Sequence, residues 1–212
     1  MKITIMVDMP DSFFHKYIRL IINELKHQNH VVRFCTNVDD LSTGDVLFLL
    51  GCRTILSDEQ LSQHKHSLVI HPSKLPEGKG SAALIWKILE GENTLFISLF
   101  EATNKIDGGD IIFQDKITLK GYELSDEIRY KQALKSFELI FKFLDTYPNI
   151  KPVKQKGRSS YYPKRTPKDS ELDINKSIRE QFNLLRVVDN ERYPAFFHYG
   201  NHRYILKIYK KN

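Results

Sequence analysis

The sequence predicts an α/β fold: a Rossmann-like, mostly parallel twisted sheet flanked by helices, with a short C-terminal helix-hairpin extension. Three observations support this prediction. Apolar segments of strand length alternate with segments of helical periodicity through the first half of the chain. The strand expected at 45–50 is apolar almost throughout, as strands covered on both faces are. The 212 residues, 41% hydrophobic and 27% charged, suit one good core with a small appendage.

The first part of the chain has the element order of a parallel sheet. Apolar residues recur at helical spacing from Phe14 to Leu25, and Ser12 is a suitable N-cap for that helix. Strands are expected at 2–7, 30–35, 45–50 and 67–70. Strands and helices that alternate in this order are joined by right-handed crossovers, which place parallel strands side by side.

The middle of the chain adds a helix at 82–90 that ends at Gly91, and strands at 95–101 and 111–119. Because these two strands form a hairpin-like pair around the loop 104–110, part of the sheet is expected to be antiparallel. A long helix at 126–145 carries one apolar stripe.

The composition changes at Thr146, so we place a catalytic domain at 1–145 and an extension at 146–212. The stretch 147–168 holds four of the eight prolines and many basic residues, which predicts an extended linker crossing the surface. A short helix is expected at 174–188, with Arg186 on its surface, followed by a hairpin turn at 198–202 and an edge strand at 204–209.

Composition indicates a cytoplasmic protein without a membrane partner. No apolar run reaches the roughly 18 residues of a membrane span, and Asp8 and Asp11 interrupt the first apolar stretch. The two cysteines, Cys35 and Cys52, lie in apolar segments and are expected to be buried and reduced. The net charge of +6 favours anionic partners without identifying one.

Two loops at the expected carboxyl ends of the strands carry a possible acid–base pair. His71 directly follows the fourth strand, and Asp107 lies in a loop before two glycines. A carboxylate beside an imidazole fixes its tautomer and stabilises the imidazolium. From the residues alone, however, a histidine at a strand end is more often structural, and an aspartate before Gly-Gly is a turn residue by default.

The motifs around these residues resemble the folate-dependent formyltransferases. Residues 71–80 read His-Pro-Ser-Lys-Leu-Pro-Glu-Gly-Lys-Gly, similar to the family's His-Pro-Ser-x-Leu-Pro loop. Residues 85–91 resemble the family's next helix and its terminal glycine, and 105–112 resemble its Asp-x-Gly-x-Ile-Ile loop. The resemblance covers roughly residues 1–145. It is closest to the compact nucleotide-sugar N-formyltransferases and extends to the N-terminal domain of methionyl-tRNA formyltransferase.

The resemblance implies that His71 and Asp107 are catalytic and that the donor is N10-formyltetrahydrofolate, with no metal. The folate is expected to bind where the family's pterin pocket aligns, at Thr54, Ile55, Leu56, Asn104, Ile106 and Asp110. Candidate residues for binding the acceptor are Ser73, Lys79, Gly80, Trp86 and Tyr161. His64 and His66 have no further ligand at useful spacing, so we expect exposed loop histidines and no metal site.

One position departs from the family pattern. The family has an asparagine two residues before the histidine, where it helps hold the formyl oxygen, and this chain has Val69. Losing such a donor costs a factor of roughly 10²–10³ in rate. Similar formyltransferase-like chains read Leu-Val-Val-His here, which favours replacement by another donor over inactivity. Ser73 and Asn104 are candidates.

The C-terminal part favours a nucleotide-diphosphate amino deoxysugar as acceptor, used for surface polysaccharide. The 65 or so residues after the long helix are too few for the tRNA-gripping barrel of methionyl-tRNA formyltransferases, so a nucleic-acid partner is not expected. Two alternatives stay open: an enzyme similar to methionyl-tRNA formyltransferase, and a weak relative that only binds nucleotide sugar or folate. The terminal edge strand suits a homodimer.

Overall fold

A computed structural model describes residues 1–211. Its centre is a six-stranded sheet formed by β1 (Lys2–Met6), β2 (Val31–Cys35), β3 (Gly44–Leu50), β4 (His64–His71), β6 (Thr94–Glu101) and β7 (Ile111–Thr118). The strands lie in the order β2-β1-β3-β4-β6-β7. The first four are parallel, whereas β6 is antiparallel to both β4 and β7. The predicted fold class, including its antiparallel part, is confirmed.

Helices cover both faces of the sheet. They are α1 (Ile18–His27), α2 (Asp58–Leu61), α3 (Ala83–Leu89), α4 (Ser125–Thr146) and α5 (Phe182–Val187). The main core joins α1 and α4 to one face through residues such as Phe48, Ile70 and Phe143. Over residues 1–211, no helix has the length and apolarity needed to cross a membrane.

The N-terminal helix is shorter than the periodicity of its apolar residues predicted. Ser12 caps a 3₁₀ turn at Phe13–Lys16, and the α-helix begins only at Ile18, after Tyr17. Phe14 of the 3₁₀ turn is nevertheless buried in the same core as Ile18, Ile21 and Leu25 of α1. Phe14 also lies near the carboxyl end of the sheet.

The histidines at 64 and 66 are not in an exposed loop, because β4 begins earlier than predicted. His64 is buried in the first position of β4 and lies 3.0 Å from Thr4 Oγ1. His66 pairs with Glu101 at 2.7 Å. Residues 64–67 are polar, so the first half of the strand does not stand out as an apolar run in the sequence.

The stretch 147–168 does not simply cross the surface. It forms β8 (Tyr161–Tyr162), which pairs in parallel with β5 (Lys79–Gly80), and Val153 bridges Ile111. The predicted C-terminal hairpin is present, as β9 (Ala195–Tyr199) and β10 (His202–Leu206), although the second strand was expected at 204–209. Of the helix expected at 174–188, only α5 is helical.

Arg186 is fully buried, contrary to the surface position that we expected. Its Nη2 donates to Asn93 Oδ1 at 2.6 Å, and its Nη1 lies 4.0 Å from Glu123 Oε2. Glu123 is 3% exposed and accepts from the backbone of Lys120 and from Lys131 Nζ. This polar cluster joins the C-terminal segment to the start of α4.

The Glu123 cluster predicts an acid-sensitive contribution to stability. Burial alone would raise the pKa of Glu123, but hydrogen bonds from Lys131 and the Lys120 backbone outweigh it and lower the pKa from 4.5 to about 2. The stabilisation is therefore complete above pH 4.5 and is lost as the pH falls towards 2. We expect Glu123→Gln to lower the free energy of unfolding at pH 7 by about 3 kcal/mol, because the Arg186 charge loses its counterion.

Urea unfolding at pH 7 and at pH 3 measures this effect. Glu191→Gln is the control, since it removes an exposed ion pair with Lys207 and should change stability by less than about 1 kcal/mol. Equal losses for the two variants would contradict the prediction.

Candidate active site

His71 is the last residue of β4, at the carboxyl edge of the parallel strands. Its side chain is about nine-tenths buried, and its Nε2 lies 2.9 Å from the carbonyl oxygen of Gly78. Because a carbonyl can only accept a hydrogen bond, this contact assigns a proton to Nε2. The loop after β4 thus fixes both the ring orientation and the tautomer.

Asp107 faces this imidazole from the loop between β6 and β7. Its Oδ2 lies 3.8 Å from His71 Nε2 and accepts the N–H of Gly80 at 2.8 Å. Asp107 has a positive φ of 47°, a left-handed conformation that aspartate tolerates better than most residues. The pair predicted from the sequence is therefore brought together at the carboxyl edge of the sheet.

Two glycines allow the loops to approach this closely. Gly80 has φ +93°, and a Cβ there would lie 2.5 Å from the carbonyl oxygen of Tyr162. A Cβ on Gly109 would lie 1.7 Å from the carbonyl oxygen of Glu101. Any larger residue at either position would displace backbone that carries the pair.

The linker supplies contacts that the sequence did not reveal. Gln155 Nε2 donates to the carbonyls of both Asp107 and Gly109, each at 2.8 Å. Ser160 Oγ accepts the N–H of Gly78 at 2.9 Å. Gln155 stands between two lysines in a stretch that has the composition of solvated chain, and no sequence signal distinguishes it.

A cavity of about 380 Å³ opens beside His71 and Asp107. Five of the other residues predicted to bind folate or acceptor line it: Thr54, Ile55, Leu56, Ile106 and Gly80. Within residues 1–211, the backbone groups of Ile55, Leu56 and Ile106 make no hydrogen bond. The cavity therefore combines an acid–base pair with free backbone donors and acceptors over the apolar side chains of Leu49, Leu56 and Phe100.

Six predicted site residues do not line this cavity. Asn104 donates to Asp58 Oδ2 at 3.3 Å, and the carbonyl of Asp110 accepts from Glu101. Ser73 is buried, and its Oγ is enclosed without a partner. The remaining three are Lys79, Trp86 and Tyr161. Ser73 and Asn104 therefore offer no donor to the cavity in place of the family asparagine.

Those remaining three residues lie near the contact between β5 and the linker. Lys79 is buried in β5 and is not a solvated loop residue. Trp86 donates to the carbonyl of Pro163 at 2.9 Å and stacks on Tyr162. Tyr161 is 65% exposed in β8. The contacts of Trp86 hold the linker against α3.

Two polar residues of α4, Arg129 and Gln132, also line the cavity, and the sequence analysis did not predict them. Gln132 is buried, and its Oε1 accepts from Arg129 Nη1 at 3.2 Å. A detectable signal existed, because Gln132 follows Ile128 by one helical turn and so interrupts the apolar stripe of α4. A polar residue on the buried face of a helix often marks a site.

Two further residues of the cavity wall limit its chemistry. Val69 lines it two residues before His71, so an apolar side chain stands where the family has an amide. Burial raises the pKa of Cys52 to about 12, and its thiol donates to the carbonyl of Met6 at 3.3 Å. Cys52 is therefore a poor nucleophile. Within the described part of the chain, no group of three or more histidine, cysteine or acidic side chains is placed to hold a metal ion.

Comparison with known proteins identifies relatives of the chain. Residues 15–141 match the family model described as formyl transferase. The bifunctional polymyxin resistance protein ArnA of Wigglesworthia glossinidia brevipalpis is 33% identical in an alignment of 164 positions, which covers 73% of this chain and 24% of that protein. The chain thus spans about a quarter of the length of this relative.

Three solved structures share the fold. A methionyl-tRNA formyltransferase from Clostridium thermocellum has a TM-score of 0.83 at 23% identity, covering 100% of this chain and 94% of that one. A 4-N formyltransferase from Francisella tularensis scores 0.77 at 18% identity, with coverages of 100% and 98%. HypX from Aquifex aeolicus in complex with tetrahydrofolic acid scores 0.74 at 19% identity, with coverages of 98% and 37%.

The contacts of Gln155 predict that this residue positions Asp107. We expect Gln155→Ala to speed amide hydrogen exchange at Gly80 and in the loop 107–110 by about tenfold, since two hydrogen bonds to the loop are lost. Exchange measured residue by residue tests this expectation.

Gln114→Ala is the matched control. Gln114 Nε2 also bridges two acceptors, the carbonyl of Leu75 and Ser98 Oγ, so its loss should loosen residues 73–76 and leave the Gly80 amide protected. Unchanged exchange at Gly80 in Gln155→Ala would contradict the positioning role.

Proposed function

The chain belongs to the formyl transferase family, and on that premise we propose that it moves a formyl group from N10-formyltetrahydrofolate to the amine of a nucleotide-linked amino deoxysugar. The observation that carries the proposal is the pairing of His71 with Asp107, 3.8 Å apart beside a cavity. We further propose that the protein is a cytoplasmic homodimer that acts in surface polysaccharide synthesis.

The cavity wall suits a pterin. A flat, amide-like heterocycle needs apolar contact on its faces and backbone donors and acceptors at its edge. Leu49, Leu56 and Phe100 provide apolar contact, and the unpaired backbone of Ile55, Leu56 and Ile106 provides the polar edge. The folate complex of the HypX structure, which shares this fold, supports the same assignment.

His71 and Asp107 have complementary roles in this reaction. The acceptor amine attacks the formyl carbon, and the Nε2–H of His71 turns from the Gly78 carbonyl to donate to the oxygen that gains negative charge. Asp107 accepts the proton that leaves the amine. When the bond from the formyl carbon to N10 breaks, that proton passes to N10, so charge and atoms balance.

The choice of a sugar acceptor rests on the relatives and on the C-terminal segment. The 4-N formyltransferase structure is covered almost completely by this chain, from β1 through the terminal hairpin. Chain length, however, does not separate the two acceptor classes as we expected, because the methionyl-tRNA formyltransferase structure is covered to 94% as well. Charged initiator tRNA is therefore the second acceptor to test.

Mass spectrometry of acceptors incubated with N10-formyltetrahydrofolate tests the proposal. We expect one nucleotide amino sugar from a panel to gain a single formyl group. His71→Ala and Asp107→Asn should each reduce turnover by about 10³-fold, because each removes a proton-transfer group. His198→Ala, an exposed histidine paired with Glu171, should leave turnover unchanged.

The possible results separate the candidates. Product with charged initiator tRNA alone would replace the sugar acceptor by tRNA. No product with any acceptor would leave only a binding protein. Full activity in His71→Ala would place the chemistry elsewhere.

Because Val69 is apolar where the family has an asparagine, we expect the enzyme to lack one hydrogen-bond donor to the formyl oxygen. We expect Val69→Asn to raise kcat by up to about 10²-fold, because it adds an amide donor two residues before His71. Val69→Leu is the control for cavity shape and should not raise kcat. A fall in kcat for both variants would show that another group already holds the oxygen.

A further inference from the structure

A second, larger cavity of about 880 Å³ adjoins the first. Its walls come from the loop before α1, the start of α4 and the C-terminal residues 187–193. The two cavities share six residues: Met9, Ser12, Phe13, Arg53, Ser81 and Arg129. The larger cavity therefore adjoins the cavity that His71 lines.

Most carboxylates of the larger cavity are already paired. Asp11 pairs with Arg192, Asp126 with Lys16 at 3.4 Å, Glu127 with Lys210 at 2.8 Å, and Glu191 with Lys207 at 2.7 Å. The remaining one, Asp189, accepts the backbone N–H groups of residues 191 and 192.

Four cations of the same cavity have no such partner. Arg53, Arg129, Lys164 and Arg165 line it, and within residues 1–211 none of them has a carboxylate oxygen within 4.0 Å of its charged side-chain nitrogens. From Arg53, the Asp8 carboxylate accepts only the backbone N–H. Unpaired cations around a concave surface raise the local concentration of anions. The unpaired positive charges of the larger cavity thus favour the binding of an anionic ligand.

Arg129 is held in place by two contacts. The residue is half-buried, and its guanidinium donates to Gln132 Oε1 at 3.2 Å and lies 4.9 Å from the centre of the Phe13 ring. Burial lowers its pKa to about 10, and the charges of Arg165 and Arg192 act in the same direction against that of Asp189. A fixed, partly dehydrated guanidinium is preorganised for a phosphate oxygen pair.

Arg165 is fixed in the same wall. Its Nη2 donates to the carbonyl of Asp169 at 2.8 Å and to Ser170 Oγ at 3.2 Å. Both hydrogen bonds go to neutral acceptors, so no carboxylate is hydrogen-bonded to the guanidinium. Lys164 precedes it in the chain and lines the same cavity.

We propose that Arg129, Arg165 and Lys164 form an anion subsite that binds the diphosphate of the acceptor. This inference rests on the proposed function, and it sets the acceptor across both cavities, with its diphosphate at Arg129 and its amine towards His71. The volume of about 880 Å³ lies in the range of sites for nucleotide-sized ligands.

Calorimetric titration with UDP, dTDP and inorganic pyrophosphate tests the subsite without folate or amine. We expect saturable binding of at least one nucleoside diphosphate, weakened roughly tenfold or more in Arg129→Gln, since hydrogen bonds to a charged group are lost. Lys16→Gln is the control, because it removes an equal charge from the rim of the same cavity where Asp126 already pairs with it.

Each variant is first checked for an unchanged thermal unfolding midpoint. Lys164→Gln, at an exposed position, carries the test if Arg129→Gln does not fold. Equal affinity in wild type and Arg129→Gln would overturn the subsite, as would equal weakening by Lys16→Gln. Binding of a tRNA acceptor-stem duplex that depends on Arg129, without nucleoside diphosphate binding, would overturn the diphosphate assignment.

The subsite and the proposed reaction fail in distinguishable ways. If UDP or dTDP binding depends on Arg129 but no amine is formylated, the subsite stands and the formyl transfer fails. If an amino sugar is formylated with the same KM in Arg129→Gln as in wild type, the reaction stands and the subsite fails.

Discussion

The clamp on Asp107 is the constraint on which the rest of the site depends. The carboxylate accepts the N–H of Gly80, while the carbonyl of the same residue accepts from Gln155, so two distant segments hold one loop residue. The left-handed backbone of Asp107 costs on the order of 1 kcal/mol, which two hydrogen bonds can balance. The sheet supplies the rigid frame: β4 ends at His71, and the close approach of Gly109 to Glu101 at the end of β6 brings the loop within reach of the imidazole.

Much of the fold could be predicted because the strands bury both faces. An apolar segment such as 45–50 is typical of a strand covered on both faces, and alternation with helices then predicts parallel order. The pairing of β5 with β8 could not be predicted in this way. Each strand has two residues, so no periodicity exists, and their contact depends on a linker whose composition is that of solvated chain. Arg186 was misplaced for a related reason, because six residues of helix do not define a buried face.

The candidate site likewise has one part that could be predicted from the sequence and one part that could not. His71 and Asp107 could be found because each lies in a specific motif, His71 at the end of β4 and Asp107 in the loop between β6 and β7. The segment 54–56 could be found because it aligns with the family's pterin pocket. Residues that act from another element, among them Gln155 and Arg129, have no local signature and enter the site only through the tertiary fold. Ser73 shows the converse: it lies inside the motif, yet the turn after β4 directs its hydroxyl into the protein. A motif locates a loop but does not determine which of its side chains face the ligand.

The apolar residue at position 69 and the cations of the larger cavity both affect the activation barrier of the proposed formyl transfer. A site with fewer donors to the formyl oxygen stabilises the developing charge less, and the barrier rises accordingly. Binding energy from a part of the substrate that does not react can compensate, provided that it fixes the amine in an attacking position. Arg129 lines both cavities and is itself fixed by Gln132, so an anion bound there is held at a defined distance from His71. The same interaction that increases affinity would then restrict the amine to the geometry that the reaction needs.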